Sequence, residues 1–490
     1  MQRCSIVSAA CAAAVALLHG PGLVRGACNF DKIDVTTNPG FKITVSDDYK
    51  VLEDTSINTK YGLYCADTQP SVDGIDRWFK VPIMSVGIRL PIASGFLEAL
   101  GKRSSLTAAE APANITNICV DASKLATLGD AGGDSNGSNK VDVVFSSSAD
   151  SDGNKSVRLP SDDSLTPLQK AEWIKFVAAF FNAEKSADAL YSSITDAYNC
   201  HWNNLQHLSS KPHAYWVQYT ASDTSASDKP TYNVVDSAYQ KDLLAGAGTT
   251  SATSAPLSDP TDQSAFQAAV KDADFVFDQT NLTKYGQRLA EWHSDFGYTD
   301  PQNSGASFLQ LHNIWRTDGY TSENGVSNFP EFAYVRPDLV LQDIISIVEP
   351  LYNSTYLRHW MLWLGGSTEK TVVIGSDNYN CGSPWLTQVD GCSARSDFTG
   401  EDAAESGNAS DSIDDSKEDG DDKESSGHSS RAGKIAGGVV AAAVFVGLVL
   451  VAMHYINRHR RRARIRALAE AGVYGGESIG LHNTSPRRFS

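Results

Sequence analysis

Between residues 80 and 350 short apolar runs alternate with longer stretches in which apolar positions recur every three or four residues. Short apolar runs bounded by turn formers read as buried strands, and the longer spacing reads as helices with one buried face. On this pattern 83–88, 141–145, 214–218 and 275–277 are expected strands, and 92–101, 264–272 and 339–348 are expected helices. Strands separated by helices favour α/β layering with a parallel sheet. The longest periodic stretch is 166–198. Thr166 caps it, Pro167 suits the first helical position and Gln169 completes a capping box. Ile174, Val177, Phe181, Leu190, Ile194 and Tyr198 then keep near-helical steps. Read as one helix it spans roughly 45–50 Å, more than a single small lobe needs and enough for a spine joining two.

The ends carry different patterns. Residues 1–26 begin with Arg3, continue through an apolar run to Leu18 and reach Val24 and Gly26, which reads as a secretory signal. Residues 435–453 hold no formal charge and are followed by Arg458, Arg460, Arg461, Arg462, Arg464 and Arg466. That is the pattern of a transmembrane helix with its basic flank in the cytosol. The expected topology is a single-pass type I protein of the plasma membrane with an extracellular ectodomain. Between the two, 397–430 holds twelve acids and two bases and almost no large apolar residue, so it cannot offset chain entropy by burial and reads as an extended stalk.

Charge and cysteines sharpen this. The chain of 490 residues has 41 Lys and Arg against 58 Asp and Glu, a net charge of -17, which argues against a nucleic-acid partner. Beyond the signal stand Cys28, Cys65, Cys119, Cys200, Cys381 and Cys392, an even set that suits disulfides in an oxidising compartment. Their pairing is open, with Cys381 and Cys392 the one local bridge that proximity suggests. Sequons at Asn114, Asn136, Asn154, Asn281, Asn353 and Asn408 predict a glycosylated surface.

Three segments are more specific than a generic α/β pattern: KVPIMSVGIRLPIASGFLEALG (80–101), TPLQKAEWIKFVAAFF (166–181) and VRPDLVLQDIISIVEP (335–350). In this order they resemble the Fe/B12 periplasmic-binding domain, the substrate-binding proteins of ABC importers for iron chelates and cobalamin, over about residues 78–364. The resemblance implies the class III periplasmic-binding-protein fold: two Rossmann-like α/β lobes joined by a long α-helix, with the ligand between the lobes and little hinge motion. It divides the chain into a signal peptide (1–26), an N-terminal extension (27–79), a first lobe (80–163), the linking helix (164–208), a second lobe (209–335) and a returning helix with C-terminal extension (336–396). The stalk (397–433), the transmembrane helix (434–456) and a basic cytoplasmic tail (457–490) follow. Acidic, glycine-rich 129–139 and the loops 221–229 and 249–262 look like insertions. A membrane-anchored form replaces the free or lipid-tethered one, which points to a membrane transporter or an endocytic partner.

Ligands of α/β folds collect beyond the carboxyl ends of strands. The candidate residues there are Arg89 and Leu90 after the first strand, Asp162 and Asp163 before the spine, Trp216 and Tyr219 at the first strand of the second lobe, and Tyr232 beyond it. Trp315 and Arg316 follow in HNIWRTDGY, and Glu331 and Tyr334 in FPEFAYVRPD. Aromatic walls with one or two arginines suit a bulky chelate. Each has a plainer alternative: a local ion pair for Arg89, core packing for Trp216 and Trp315, solvated caps for Asp162 and Asp163, and an exposed or permease-facing position for Glu331. Residues 27–396 hold 27 bases and 44 acids, so long-range steering favours a neutral or cationic ligand. His201, His207, His213, His293, His312 and His359 show no HxxxH spacing and no CxxC occurs, so no protein metal site is expected. GxSxG, HExxH and Walker A patterns are missing as well, and an enzyme is not expected. The expected function is a cell-surface receptor that captures a ferric siderophore, haem or cobalamin for uptake, with no intrinsic cofactor. The alternative is an adhesion or sensing receptor that uses the two lobes as a scaffold.

Overall fold

The computed structural model describes residues 30–129, 140–161, 163–222, 229–250, 257–280, 289–366, 369–375, 381, 385–387, 389–395 and 398–400. The N-terminal extension forms a sheet of its own: β1 (Phe41–Val45), β2 (Tyr49–Asp54), β3 (Thr59–Tyr64) and β4 (Arg77–Lys80), paired in that order, with the first three antiparallel and β4 parallel to β3. Burial alternates along β1 and β2, as in half-exposed strands, whereas β3 is buried at three successive positions, Tyr61, Gly62 and Leu63. Phe41, Tyr61 and Phe79 carry this sheet into the core, with Phe41 4.8 Å from Trp173 and Phe79 5.5 Å from Phe180 between ring centres.

The first half follows as β5 (Val86–Ile88), α1 (Pro91–Ala99), β6 (Leu106–Ala109), β7 (Ala126–Thr127), β8 (Val143–Ser146) and β9 (Ser156–Arg158). Its sheet runs β7-β6-β5-β8-β9 with every pair parallel. The expected strands at 83–88 and 141–145 fall on β5 and β8, and the expected helix at 92–101 on α1.

The spine departs from expectation. Residues 164–208 contain two helices, α2 (Pro167–Ala179) and α3 (Glu184–Asn204), rather than one. The predicted capping box at Thr166 and Gln169 is present. The chain turns after Ala179, with Asn182 in the left-handed region at φ 51. Lys50 of β2 enters the break: its ammonium donates to the Ala179 carbonyl at 2.8 Å and to Asn182 Oδ1 at 2.9 Å, and pairs with Glu184 in the first turn of α3. α3 then folds back along α2, so that Tyr191 Oη donates to the Leu168 carbonyl at 3.3 Å and Lys175 pairs with Asp188 at 3.1 Å. The turn itself is local, a left-handed cap at Asn182 in which Ala183 N donates back to the Ala178 carbonyl at 3.1 Å, and the Lys50 side chain from a distant strand fills it. α3, at 21 residues and roughly 31 Å, is the segment that passes from the first half to the second.

The second half comprises β10 (Ala214–Thr220), β11 (Thr231–Val235), α4 (Ala238–Gly246), α5 (Gln263–Ala269), β12 (Phe275–Asp278), α6 (Leu289–Asp295), α7 (Ser307–Gln310), β13 (Ile314–Arg316), β14 (Tyr320–Thr321), α8 (Phe329–Phe332), α9 (Pro337–Val348), β15 (Leu362–Trp363) and β16 (Val372–Val373). Its sheet runs β11-β10-β12-β13-β15. The three central strands are parallel and the two edges antiparallel, while β14 pairs with β16 separately. Alternation along the strands sends Tyr215, Val217, Val276 and Ile314 to one face, against Phe266, Trp292 and Phe308, and Trp216, Phe277 and Trp315 to the other. That second face joins an apolar core that continues through Val340, Ile344, Val177 and Phe176 to Phe145 and Val86 of the first sheet. The two halves are therefore welded by buried apolar surface, not merely linked by a rod.

α1 and α8 meet closely at Gly95, where a Cβ would lie 2.0 Å from the Glu331 carbonyl oxygen. Gly95→Ala is expected to force the helices apart and lower the unfolding free energy by about 3 kcal/mol, read from the urea midpoint at unchanged slope. An unchanged midpoint would show that the contact yields freely.

The disulfides correct a second expectation. Cys381 and Cys392 are not joined to each other: Cys119 pairs with Cys381 and Cys200 with Cys392, at Cα separations of 5.6 and 6.0 Å. Cys65 is disulfide-bonded as well. The C-terminal extension leaves Cys381 against the first half, where Arg103 donates to the Cys381 carbonyl, and reaches Cys392 near the last turn of α3. Cys381 and Cys392 thus each meet a partner remote in sequence instead of one another.

Candidate functional site

In the first half β5 delivers Arg89 to the carboxyl edge of the sheet. The Arg89 side chain is 5% exposed and grips Asp152, itself 2% exposed, with Nε and Nη2 each 2.8 Å from a carboxylate oxygen. Nη1 donates to Glu110 at 3.0 Å and Nη2 to the Gly129 carbonyl at 2.8 Å. Burial pushes the Asp152 carboxyl up, but the bonds from Arg89 and Ser151 outweigh it and hold the group below its ordinary value. Arg89 is a local ion pair, and Arg89→Ala would strand a buried carboxylate. Leu90 precedes α1 and packs against the core.

In the second half Trp315 is fully buried, stacked on Trp363 at 6.1 Å with the Arg358 guanidinium 4.8 Å from its ring. Arg316 is buried too and pairs with Asp318. β12 sets Asp278 in register beside Arg316. Asp278 accepts from Thr280 N at 2.9 Å and Trp292 Nε1 at 3.1 Å, and burial pushes its carboxyl up to about 6. Tyr219 and Tyr232 come together, rings 5.6 Å apart, and Tyr232 Oη accepts from Gln263 at 3.0 Å.

A third set sits where the halves join. Asp163 accepts from Lys170 at 2.7 Å and from Gln240 at 2.8 Å, and Gln240 also donates to Gln279, just past β12, at 3.0 Å. Lys170, 1% exposed, holds its ammonium 3.7 Å over the Tyr334 ring and 5.5 Å from that of Tyr239. An aromatic chain continues from Tyr239 through Tyr334 and Phe329 to Trp216 and Phe277, with centroid steps of 4.9, 5.9, 6.4 and 5.4 Å. Burial, with Asp163 nearby, drives the Tyr334 phenol far above its ordinary value. Trp216 Nε1 and Tyr239 Oη are buried here without a hydrogen-bond partner among the described residues. The sequence reading picked Asp163, Trp216 and Tyr334 but missed Lys170, Tyr239, Gln240 and Gln279. One signal was available: Lys170, Glu172 and Lys175 all lie in a helix with apolar residues on every side, and a charge on such a helix must have a buried partner.

Glu331 is not exposed. It is buried between the halves, accepting from Thr116 N at 2.8 Å, from Thr116 Oγ1 and from Ser94 Oγ. Burial, opposed by those bonds, pushes its carboxyl up to about 7. Asp162 lies outside the described residues, as do the signal segment, most of the acidic stalk, the transmembrane segment, the basic tail and the sequons at Asn136, Asn281 and Asn408; Asn114, Asn154 and Asn353 are exposed. Among the described residues no helix is long and apolar enough to cross a membrane, and no group of three or more His, Cys, Asp or Glu is placed to hold a metal. A cavity of about 750 Å³ opens elsewhere, between α3 and the C-terminal extension, where Leu190, Ser193, Asp196, Val389 and Asp390 line it and none of the candidate residues does.

No protein-family model matches the chain. No curated protein matches it at a significant level. Among solved structures it is similar to a periplasmic binding protein from Veillonella parvula, at 13% identity and a TM-score of 0.41 over 55% of this chain and 86% of that one. It is also similar to periplasmic heme-binding proteins of Pseudomonas aeruginosa (11% identity, TM-score 0.40, 54% and 92% covered) and Vibrio cholerae (14% identity, TM-score 0.40, 55% and 99% covered). Scores below 0.5 establish neither a family nor a ligand. The fold itself is mixed α/β, with two mainly parallel sheets.

Proposed function

We propose that this chain is a solute-binding receptor that captures a small metal chelate where its two α/β halves join. The reading is carried by Trp216 Nε1 and Tyr239 Oη, buried donors left without a partner among the described residues in an aromatic-lined junction. Native proteins rarely leave such groups unmet except where water or a ligand completes them. The three sequence segments and the position of the junction, beside the carboxyl ends of β9 and β12, support the same reading. Arg89 and Arg316 are both held by carboxylates, so the preferred chelate carries no exposed carboxylates. A neutral ferric hydroxamate or cobalamin fits this better than haem. In the same proposal residues 1–26 direct export and 434–456 anchor the ectodomain at the plasma membrane, with the basic tail inside. External protease that spares an epitope at residue 490 while removing one at residue 30 supports this topology, and the opposite pattern rejects it.

Quenching of tryptophan fluorescence in the purified chain tests capture. A dissociation constant tighter than about 100 μM, near -5.5 kcal/mol, is expected for a ferric hydroxamate or cobalamin. Tyr239→Phe, which deletes a hydroxyl without a partner among the described residues, is expected to leave the unfolding midpoint in place and weaken binding by about tenfold. No binding of ferric hydroxamate, cobalamin or haem would overturn the reading. It would favour the scaffold alternative, which the continuous core and the two long-range disulfides also suit.

A further inference from the structure

α1 and the 115–120 loop of the first half meet α8 of the second half through one carboxyl group. Glu331 is 1% exposed. Its Oε2 accepts from the Thr116 amide and hydroxyl and its Oε1 from Ser94 Oγ, while its own backbone lies directly against Gly95. The charged groups facing this contact are committed elsewhere. On the α1 side Arg103 pairs with Glu98 at 2.8 Å and donates to the Cys381 carbonyl, and the other Glu98 oxygen accepts from Asn117 Nδ2 at 2.9 Å. Two carboxyl groups therefore converge on residues 116 and 117. On the α8 and α9 side Arg336 pairs with Asp338 and donates to the Leu386 carbonyl at 3.0 Å, and Lys170 pairs with Asp163 beyond Tyr334. Among the described residues Glu331 thus has hydrogen bonds and no cation. Two of its donors are hydroxyls, which can also accept from a carboxylic acid; as donors they favour the charged form, and burial without a countercharge favours the neutral one and outweighs them.

We propose that Glu331 is a proton-controlled latch between the two halves: the neutral carboxyl group closes α1 and the 115–120 loop onto α8, and its ionisation loosens that contact. Burial raises the group from 4.5 to about 7 in the closed form. The closed form then binds the proton more tightly than the open one, so the latch is strongest below the ordinary carboxylate range. It weakens as pH rises from there to about 7 and is constant above that. The latch does not depend on the ligand reading.

Hydrogen exchange on the full chain, corrected for intrinsic rates, tests this. Opening of segments 113–120 and 329–334 is expected to rise about tenfold between pH 6 and pH 8, while the β2 and β3 amides hold steady. Glu331→Gln is expected to flatten the profile. Ser94→Ala removes a donor that favours the charged form and is expected to move the midpoint to higher pH, which keeps the test alive if the glutamine variant does not fold. A flat wild-type profile, or one that neither substitution alters, would overturn the proposal.

Discussion

Glu172→Ala is expected to cost about 3–5 kcal/mol of stability, the loss typical of removing one partner from a buried charge network. Glu172 is fully buried on α2 and holds residues 36 and 37 by four bonds: Thr36 N at 2.7 Å, Thr36 Oγ1 at 2.9 Å, Thr37 N at 2.8 Å and Thr37 Oγ1 at 2.5 Å. Lys175, also buried, pairs with it at 3.2 Å. Alanine would remove the shared acceptor of all four donors and leave Lys175 with Asp188, the Asp34 carbonyl and the Tyr191 ring. Burial by itself would raise this carboxyl, yet the Thr37 and Thr36 bonds outweigh it and the group sits below its ordinary 4.5. A depressed carboxylate contributes stability above its unfolded value and loses it as pH falls through the folded one. The gap between wild type and variant, measured by urea unfolding, should be full at pH 7 and narrow below about pH 4.5. An equal gap at both ends of that range would show that packing, not charge, is what the residue supplies.

Cys119→Ser with Cys381→Ser is expected to remove about 2–5 kcal/mol, because the bridge closes a long loop in the unfolded chain. The sequence separation is 262 residues, and 192 for Cys200 with Cys392. Breaking both should free the C-terminal extension first. Its remaining ties among the described residues include the bonds from Arg103 to Cys381, from Arg336 to Leu386 and from Asn204 to Ser393. Limited proteolysis of the four-serine variant should therefore cut near residues 381–392 before the sheets. Simultaneous loss of all segments would show instead that the extension and the core unfold as one unit.

The α/β class was legible in the chain because buried parallel strands are short apolar runs, and β5, β8, β10 and β12 lie where those runs lie. The capping box at Thr166 was legible for the same local reason. The antiparallel N-terminal sheet was harder to read, since Phe41–Val45 and Tyr49–Asp54 are half exposed and alternate. Among the site residues, Trp216 and Tyr334 were chosen by residue type and do stand at the junction. Arg89 and Arg316 were chosen the same way and turn out to be neutralised by Asp152 and Asp318.

What the chain determined alone was therefore which stretches are strands or helices and which side chains have chemistry to offer. Those properties depend on burial periodicity over a few neighbouring residues. The tertiary structure decided the rest: that Lys50 fills the break in the spine, that Cys381 reaches Cys119, that one buried core joins both sheets, and that Glu331 faces Ser94 and Thr116. Each of these is a meeting of groups far apart along the chain, and the free energy of a charge, a thiol or a buried hydroxyl is set by the partner it meets rather than by its neighbours in sequence.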